Sequence, residues 1–157
     1  MKYYLLLLLP FLLISCTASE NTSNEVTEQP EPTETKSEDH IAIEGVIQNY
    51  FDGWLTGDTT LIGSAMHSTC NLKFIRDGEL VRRDRNSYLG AFKPRPRLVN
   101  AEGRIISIDI TRTAAEAKIE LETEKRLFTD YFNLLKEGER WYISDKVSTS
   151  IQKTSNE

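Results

Sequence analysis

Hydrophobic and polar residues alternate most regularly near the end of the chain, in residues 127–147. Two runs of large apolar residues flank a polar link at 136–139, which contains Gly138. Because glycine readily takes the positive φ that a tight turn requires, the pattern predicts a hairpin of two long, central strands. Successive strand side chains point to opposite faces. One face is therefore predicted to carry Phe128, Asp130, Phe132 and Leu134 from the first strand, and Trp141, Ile143, Asp145 and Val147 from the second.

Helical periodicity dominates the part of the chain that follows residue 40. Apolar residues recur there at spacings of three and four, which predicts one amphipathic helix carrying Ile43, Val46, Ile47, Tyr50, Phe51, Trp54 and Leu55 on a single face. Ser37 precedes this helix and Gly57 follows it, and both residue types are typical of helix caps. Two shorter helices are predicted at 61–66 and 84–92, and the prolines of 93–97 end the second of these.

Four further strands complete the predicted fold. Strands 71–76 and 79–83 flank the turn dipeptide Asp77-Gly78. Strand 104–112 is predicted to place Ile106, Ile108 and Ile110 on one side, and strand 115–124 to turn Ala117, Ile119 and Leu121 inward. Helices that are segregated from an antiparallel sheet indicate an α+β fold. We expect a cone-shaped, curved antiparallel sheet of about six strands, wrapped around the long N-terminal helix, with two shorter helices.

This order of elements resembles the nuclear transport factor 2-like (NTF2-like) superfamily, over about residues 41–148. The matching positions are Tyr50-Phe51-Asp52-Gly53-Trp54, Gly57-Asp58, His67, Phe92, Asp130-Tyr131, Leu134-Leu135-Lys136, Trp141-Tyr142-Ile143 and Lys146. Within the superfamily the chain is most similar to the bacterial branch named for lumazine binding. The resemblance implies the cone-shaped fold. It does not imply one activity, since the superfamily includes isomerases, dehydratases, cyclases and binding domains.

The first 15 residues are predicted to be a signal peptide. Lys2 precedes an apolar run at 3–14, which is shorter than the roughly 18 to 20 residues that span a bilayer as a helix. Leu13-Ile14-Ser15-Cys16 resembles the bacterial lipobox, which implies a diacylglyceryl group and an N-acyl chain on Cys16. The alternatives are an ordinary cleaved signal in which Cys16 is incidental, or a short membrane anchor.

Residues 16–40 are predicted to form a disordered acidic tether. They are rich in Ser, Thr, Asn, Glu and Pro and cannot bury enough apolar surface to offset the entropy of ordering. The formal charge of the whole chain is −5, whereas the residues after position 40 contain 17 Lys+Arg and 17 Asp+Glu. A neutral domain lacks the positive field of a nucleic-acid binder, so no nucleic-acid partner is expected. The remainder is predicted to be one domain at 41–149 and a flexible tail at 150–157.

The expected location follows from the lipobox. A lipid anchor places the protein in the bacterial cell envelope, on the inner or the outer membrane. The absence of an acidic cluster directly after Cys16 favours a position facing the periplasm. The membrane is then one partner, and a small-molecule ligand and a second copy of the chain, bound through the outer sheet face, are further expected partners.

Asp130 and His67 are the candidate catalytic residues. A carboxylate between two phenylalanines on a concave face would be desolvated. The resemblance implies that His67 lies near the mouth of the cone, where a histidine could act as a base. Alternatively, Asp130 pairs with Lys146 or Arg126 or faces outward, and His67 is a cap or packing residue. No cofactor is expected, and no metal, because His67 lacks nearby ligands at suitable spacing. The predicted ligand pocket consists of Tyr50, Trp54, Tyr88, Phe92, Ile108, Phe132 and Trp141.

Two classes of function remain open at this point. The first is a non-catalytic, tethered domain that binds a small apolar or aromatic ligand, or a partner protein, in or around its cone. The second is an enzyme of isomerase or dehydratase type that uses Asp130 with His67 or a tyrosine. Because acid and base groups must reach the same substrate, the second class is favoured if Asp130 and His67 face one hollow.

Lipidation is directly testable. In cells fed a labelled fatty acid, we expect label on the wild-type protein and none on Cys16→Ala, which should leave the membrane fraction or remain unprocessed. The matched control is Cys70→Ala, which removes the other cysteine and should retain the label. Absence of label from the wild-type chain would contradict the lipoprotein prediction.

Overall fold

The computed structural model describes residues 36–154. The predicted signal peptide, Cys16 and the tether up to residue 35 lie outside the described residues. The elements are α1 (Glu38–Thr56), α2 (Thr59–Ala65), β1 (Met66–Arg76), β2 (Glu79–Asp84), α3 (Arg85–Leu89), β3 (Glu102–Thr111), β4 (Ala114–Glu122), β5 (Arg126–Glu137) and β6 (Arg140–Gln152). Among the helices in this range, none is both long and apolar enough to cross a membrane.

The helix ends are fixed by the residues that the sequence suggested. The Ser37 side chain accepts a hydrogen bond from the backbone N–H of His40, and Gly57 ends α1 with φ at 69°. Asp58 and Asp84 cap α2 and α3 in the same way as Ser37 caps α1. Helix α1 begins before the predicted domain boundary at residue 41, and β6 continues past the predicted boundary at 149.

The six strands form one sheet in the order β2-β1-β6-β5-β4-β3. Strands β1 and β6 run parallel, and every other neighbouring pair is antiparallel. The predicted α+β class, with a long N-terminal helix, two short helices and a six-stranded sheet packed on the long helix, is confirmed.

Helix α1 supplies one side of the hydrophobic core and the sheet supplies the other. Ile43, Ile47, Tyr50, Phe51 and Leu55 of α1 are buried. They belong to one cluster with Ala117, Ile119, Leu121, Phe132, Leu134, Trp141 and Ile143 from strands β4, β5 and β6. Burying such side chains stabilises the fold by about 1.5–3 kcal/mol each, which explains why the amphipathic face of α1 lies against the sheet.

A β-bulge in β3 changes which of its side chains face the core, so one part of the sequence-based prediction has to be corrected. The register between β3 and β4 shifts between Ile105 and Ser107, so Ile106 is an extra residue relative to β4. Ile106 is consequently 48% exposed, whereas Ile105, Ile108 and Ile110 pack against the core. The prediction that Ile106 shares a side with Ile108 and Ile110 is therefore wrong.

A second β-bulge, in β6, changes which side chains of that strand face the core. Leu134 pairs with Ile143, but the preceding Asn133 pairs with Asp145, which leaves Ser144 as an extra residue. Beyond this point the alternation is reversed, so Lys146 is 4% exposed and Val147 is 45% exposed. The sequence pattern predicted that Val147 would face inward, and the structure places a lysine there instead.

Strand β3 approaches α1 closely at Gly103. A Cβ atom on Gly103 would lie 2.4 Å from the ring of Phe51, which is buried in the core. Gly103→Ala should therefore lower the free energy of unfolding by about 1–3 kcal/mol, measured by denaturant titration.

Gly45→Ala is the matched control. Gly45 lies on the exposed side of α1 with no atom near its would-be Cβ, so alanine should raise helix stability by up to about 1 kcal/mol. Equal effects of the two substitutions would contradict the proposed close packing at Gly103.

Candidate ligand-binding site

A cavity of about 540 Å³ opens between the end of α1, α3 and the sheet. Its inner part is formed by buried lining residues, namely Leu72, Tyr88, Leu121, Asp130 and Lys146. Aromatic rings of Trp54, Phe74 and Phe128 form the walls. The exposed residues Arg76, Asp77 and Arg126 lie at the mouth, where β1 ends and β5 begins.

The floor of the cavity is a buried ion pair. Lys146 Nζ lies 2.7 Å from Asp130 Oδ2, and both side chains are at most 5% exposed. Lys146 also donates to the Tyr50 hydroxyl, at 2.5 Å, and Tyr50 and Tyr88 share a hydrogen bond of 2.6 Å. Ser148 donates to the other carboxylate oxygen of Asp130. Both Asp130 oxygens are thus engaged, and the pair belongs to a continuous polar network.

The charge states of the network follow from its surroundings. Burial acts to lower the pKa of Lys146, but the negative charge and hydrogen bond of Asp130 outweigh it and hold that pKa above its ordinary value. Burial raises the pKa of Tyr50 well above its ordinary value, and it also raises the pKa of Tyr88. At neutral pH the lysine is therefore an ammonium and both tyrosines are neutral. An ammonium cannot act as a nucleophile, so this lysine is not poised for covalent chemistry.

The structure divides the predicted pocket residues into two groups. Trp54 and Tyr88 line the cavity. The other five, Tyr50, Phe92, Ile108, Phe132 and Trp141, are not among the lining residues and pack in or against the core. Phe132 and Tyr50 meet edge to face with ring centres 5.0 Å apart, and Trp141 Nε1 donates to Asp39 Oδ1 at 2.9 Å.

His67 and Asp130 do not come together. The His67 ring contacts Thr69 at 2.7 Å, Glu137 at 3.4 Å and the ring of Tyr142, and it does not line the cavity. Glu137 lies at the far end of β5, seven residues beyond Asp130, which corresponds to about 23 Å of extended strand. The shared hollow that joint catalysis would require is therefore not formed. A catalytic role for either residue stays a prediction.

Other candidate groups have structural roles. Cys70 is buried, and burial raises the pKa of its thiol to about 12. The basic residues of 82–97 do not form one site, because Arg85 and Arg95 donate to the backbone oxygens of Gly63 and Trp54, while Arg97 pairs with Asp52. Within residues 36–154 no three His, Cys, Asp or Glu side chains are grouped so that they could hold a metal ion.

Sequence reasoning missed most of the cavity wall. Lys146 appeared only as a possible partner of Asp130, because simple alternation along β6 points it outward and the extra residue Ser144 leaves no signal in the sequence. Leu72, Phe74 and Leu121 look like ordinary core positions. Phe128 could have been predicted as a wall residue, because it lies two residues before Asp130 and therefore on the same face of β5.

Comparisons with known proteins bear on the family and the fold of this chain. The sequence model of the family described as "Putative lumazine-binding" matches residues 38–148. None of the curated proteins compared with the chain is significantly similar to it.

Solved structures share the fold. An NTF2-like protein of unknown function from Shewanella baltica OS155 is 26% identical, with a TM-score of 0.68 over 76% of this chain and 100% of that chain. An NTF2-like protein of unknown function from Silicibacter pomeroyi DSS-3 is 18% identical, with a TM-score of 0.63 over 76% and 100%. A ketosteroid isomerase-like protein from Erwinia carotovora atroseptica SCRI1043 is 11% identical, with a TM-score of 0.59 over 75% and 100%.

The buried ion pair can be tested by a double-mutant cycle. Asp130→Leu should lower the free energy of unfolding by about 3–5 kcal/mol, because it leaves the Lys146 charge buried and unpaired. Adding Lys146→Met should recover most of this loss, since the double variant removes both buried charges. The measurement is denaturant unfolding of each single variant and of the double variant.

The control is the exposed pair between Arg97 and Asp52, whose side chains are 51% and 36% exposed. Arg97→Gln should cost no more than about 1 kcal/mol. If Asp130→Leu had an equally small effect, Asp130 would not be the partner that compensates the Lys146 charge.

Proposed function

Because this chain belongs to the family described as "Putative lumazine-binding", we propose that its NTF2-like domain binds a small aromatic molecule in the cavity and does not convert it. The observation that carries the proposal is the cavity itself, which at about 540 Å³ falls in the range of about 300–1,000 Å³ of small-molecule sites.

The cavity wall is rich in aromatic rings. The rings of Trp54 and Phe128 lie 5.5 Å apart, edge to face, and both belong to the lining together with Phe74. Aromatic walls favour aromatic guests because ring pairs gain about 0.5–1.5 kcal/mol beyond the area that they bury. The floor supplies polar groups that are already held in place by one another, so a ligand can bond to them without reorganising the site.

The arrangement of the floor favours binding over catalysis. Lys146 contacts one oxygen of the Asp130 carboxylate and Ser148 donates to the other, so both oxygens already have partners. An isomerase or dehydratase using Asp130 with a tyrosine is the alternative, supported by the fact that Asp130 and Tyr88 line the same cavity. That reaction would require Asp130 to exchange its ammonium partner for a substrate proton.

We further propose that the domain works at the cell envelope. Support comes from the predicted signal peptide at 1–15 and from Cys16 at the end of a lipobox-like motif. A lipid anchor on Cys16, followed by the polar segment up to the start of α1, would present the cavity near a membrane surface, on the periplasmic side.

A homodimer is the third part of the proposal. Tyr131 and Val147 face each other on β5 and β6 and are 41% and 45% exposed, and Leu135 is 52% exposed. These side chains lie on the sheet face opposite the core. Large exposed apolar groups on one face are typical of surfaces that bind another protein, and a second copy could cover both faces symmetrically.

Ligand binding can be tested by filling the cavity. Titration of the purified full chain with lumazine should change the fluorescence of the ligand, because lumazine would leave water and contact the rings of Trp54 and Phe128. Ser150→Trp places a large ring among the lining residues and should weaken binding at least about tenfold, which corresponds to roughly 1.4 kcal/mol.

Ser107→Trp is the matched control. Ser107 is exposed on β3 and does not line the cavity, so the same substitution there should leave the titration unchanged. A wild-type chain whose titration shows no change would end the assignment of lumazine as a ligand.

A further inference from the structure

The cavity carries an excess of positive charge. Its lining includes the cationic residues Arg76, Arg83, Arg126 and Lys146 but only two acidic ones, Asp77 and Asp130. Because Lys146 and Asp130 neutralise each other on the floor, the excess resides in the arginines of the outer part.

These three arginines are held in position without being neutralised. The guanidinium groups of Arg76 and Arg83 lie over the ring of Phe74, 5.1 and 5.8 Å from its centre. Arg126 Nη1 donates to the Ser150 hydroxyl at 3.2 Å. Among the salt bridges of residues 36–154, none involves Arg76, Arg83 or Arg126.

Two arginines outside the cavity, Arg97 and Arg104, are neutralised by carboxylates of the domain. Arg104 contacts Glu102, Glu120 and Glu122, and Arg97 contacts Asp52. Arg76, Arg83 and Arg126 line the cavity and have no such carboxylate partner within the described residues, so their guanidinium groups are available to a ligand. Guanidinium groups bind carboxylate and phosphate oxygens through paired N–H donors, so this arrangement selects an anion.

We propose that the ligand is an aromatic acid, whose ring packs against the aromatic walls and whose carboxylate meets the arginines of the outer part of the cavity. The inference rests on the proposed function, since it assigns the charge of the ligand in the same cavity. The mouth is solvent-exposed, so the arginines remain hydrated before binding and the acid group need not be fully desolvated when it arrives.

Two probes of nearly equal shape distinguish the contribution of the ligand's charge to affinity from the contribution of its ring. The purified full chain is titrated by calorimetry with 2-naphthoate, which is anionic, and with 2-naphthamide, which is neutral. The naphthoate should bind at least about tenfold more tightly at low ionic strength, because the exposed Arg76 and Arg126 and the half-buried Arg83 should each raise its affinity a few-fold. The preference should shrink in high salt, where exposed charges are screened.

Variants then assign the preference to the arginines of the outer part of the cavity. Arg126→Gln and Arg83→Gln should each lower the naphthoate affinity about fivefold and leave the naphthamide affinity unchanged. Arg112→Gln is the control, because Arg112 is exposed between β3 and β4 and lies outside the cavity. It should affect neither probe.

The outcomes distinguish the two proposals. Equal affinities for naphthoate and naphthamide would overturn the anionic ligand while leaving an aromatic-binding cavity in place. A preference for naphthoate that survives both arginine substitutions would also overturn it. If neither probe binds, the binding function and the inference built on it both fail.

Discussion

The ion pair between Lys146 and Asp130 is the interaction on which the interior of this domain depends. Removing two charges from water costs several kcal/mol per ion, and their attraction offsets this only when the remaining hydrogen-bonding groups are also satisfied. Here Tyr50 of α1 accepts from the lysine and Ser148 of β6 donates to the carboxylate. The network thereby connects α1 to β5 and β6 through hydrogen bonds. Such bonds fix the orientation of the helix more specifically than apolar packing alone would.

The same pair explains why a cavity lies beside a well-packed core. The face of β5 is filled by Phe132 and Leu134 toward one end, where the side chains are fully buried and meet α1. At Asp130 the chemistry changes, because a polar network cannot be covered by further aliphatic side chains without losing its hydrogen bonds. The space above it is instead bounded by aromatic rings that reach in from the sides, which leaves room for a guest.

The sequence allowed the fold to be predicted, but it allowed only part of the site to be predicted. The face of α1, the caps Ser37 and Gly57 and the inward residues of β4 are local patterns, and each was correct. The position of Lys146 depends on one extra residue at Ser144, which reverses the alternation of β6 and has no local signature. The cavity lining also combines residues from two helices and five strands, so no window of sequence contains it. Alternation along β5 was enough to predict which face of the sheet carries Asp130. The distance between Asp130 and His67 could not be predicted in this way, because it depends on the register of the whole sheet.

The distribution of charge shows how one fold can serve different ligands. The floor of the cavity is deeply buried, so its charges must balance, and the Lys146 and Asp130 pair leaves little freedom there. The mouth is exposed, and a guanidinium such as that of Arg126 can be added or removed there at small cost to stability. Selectivity for the charge of a ligand is therefore easiest to adjust at the mouth, while selectivity for its shape is determined by the rings of Trp54 and Phe128. A domain built in this way can change the ligand that it prefers without disturbing the interaction that holds its interior together.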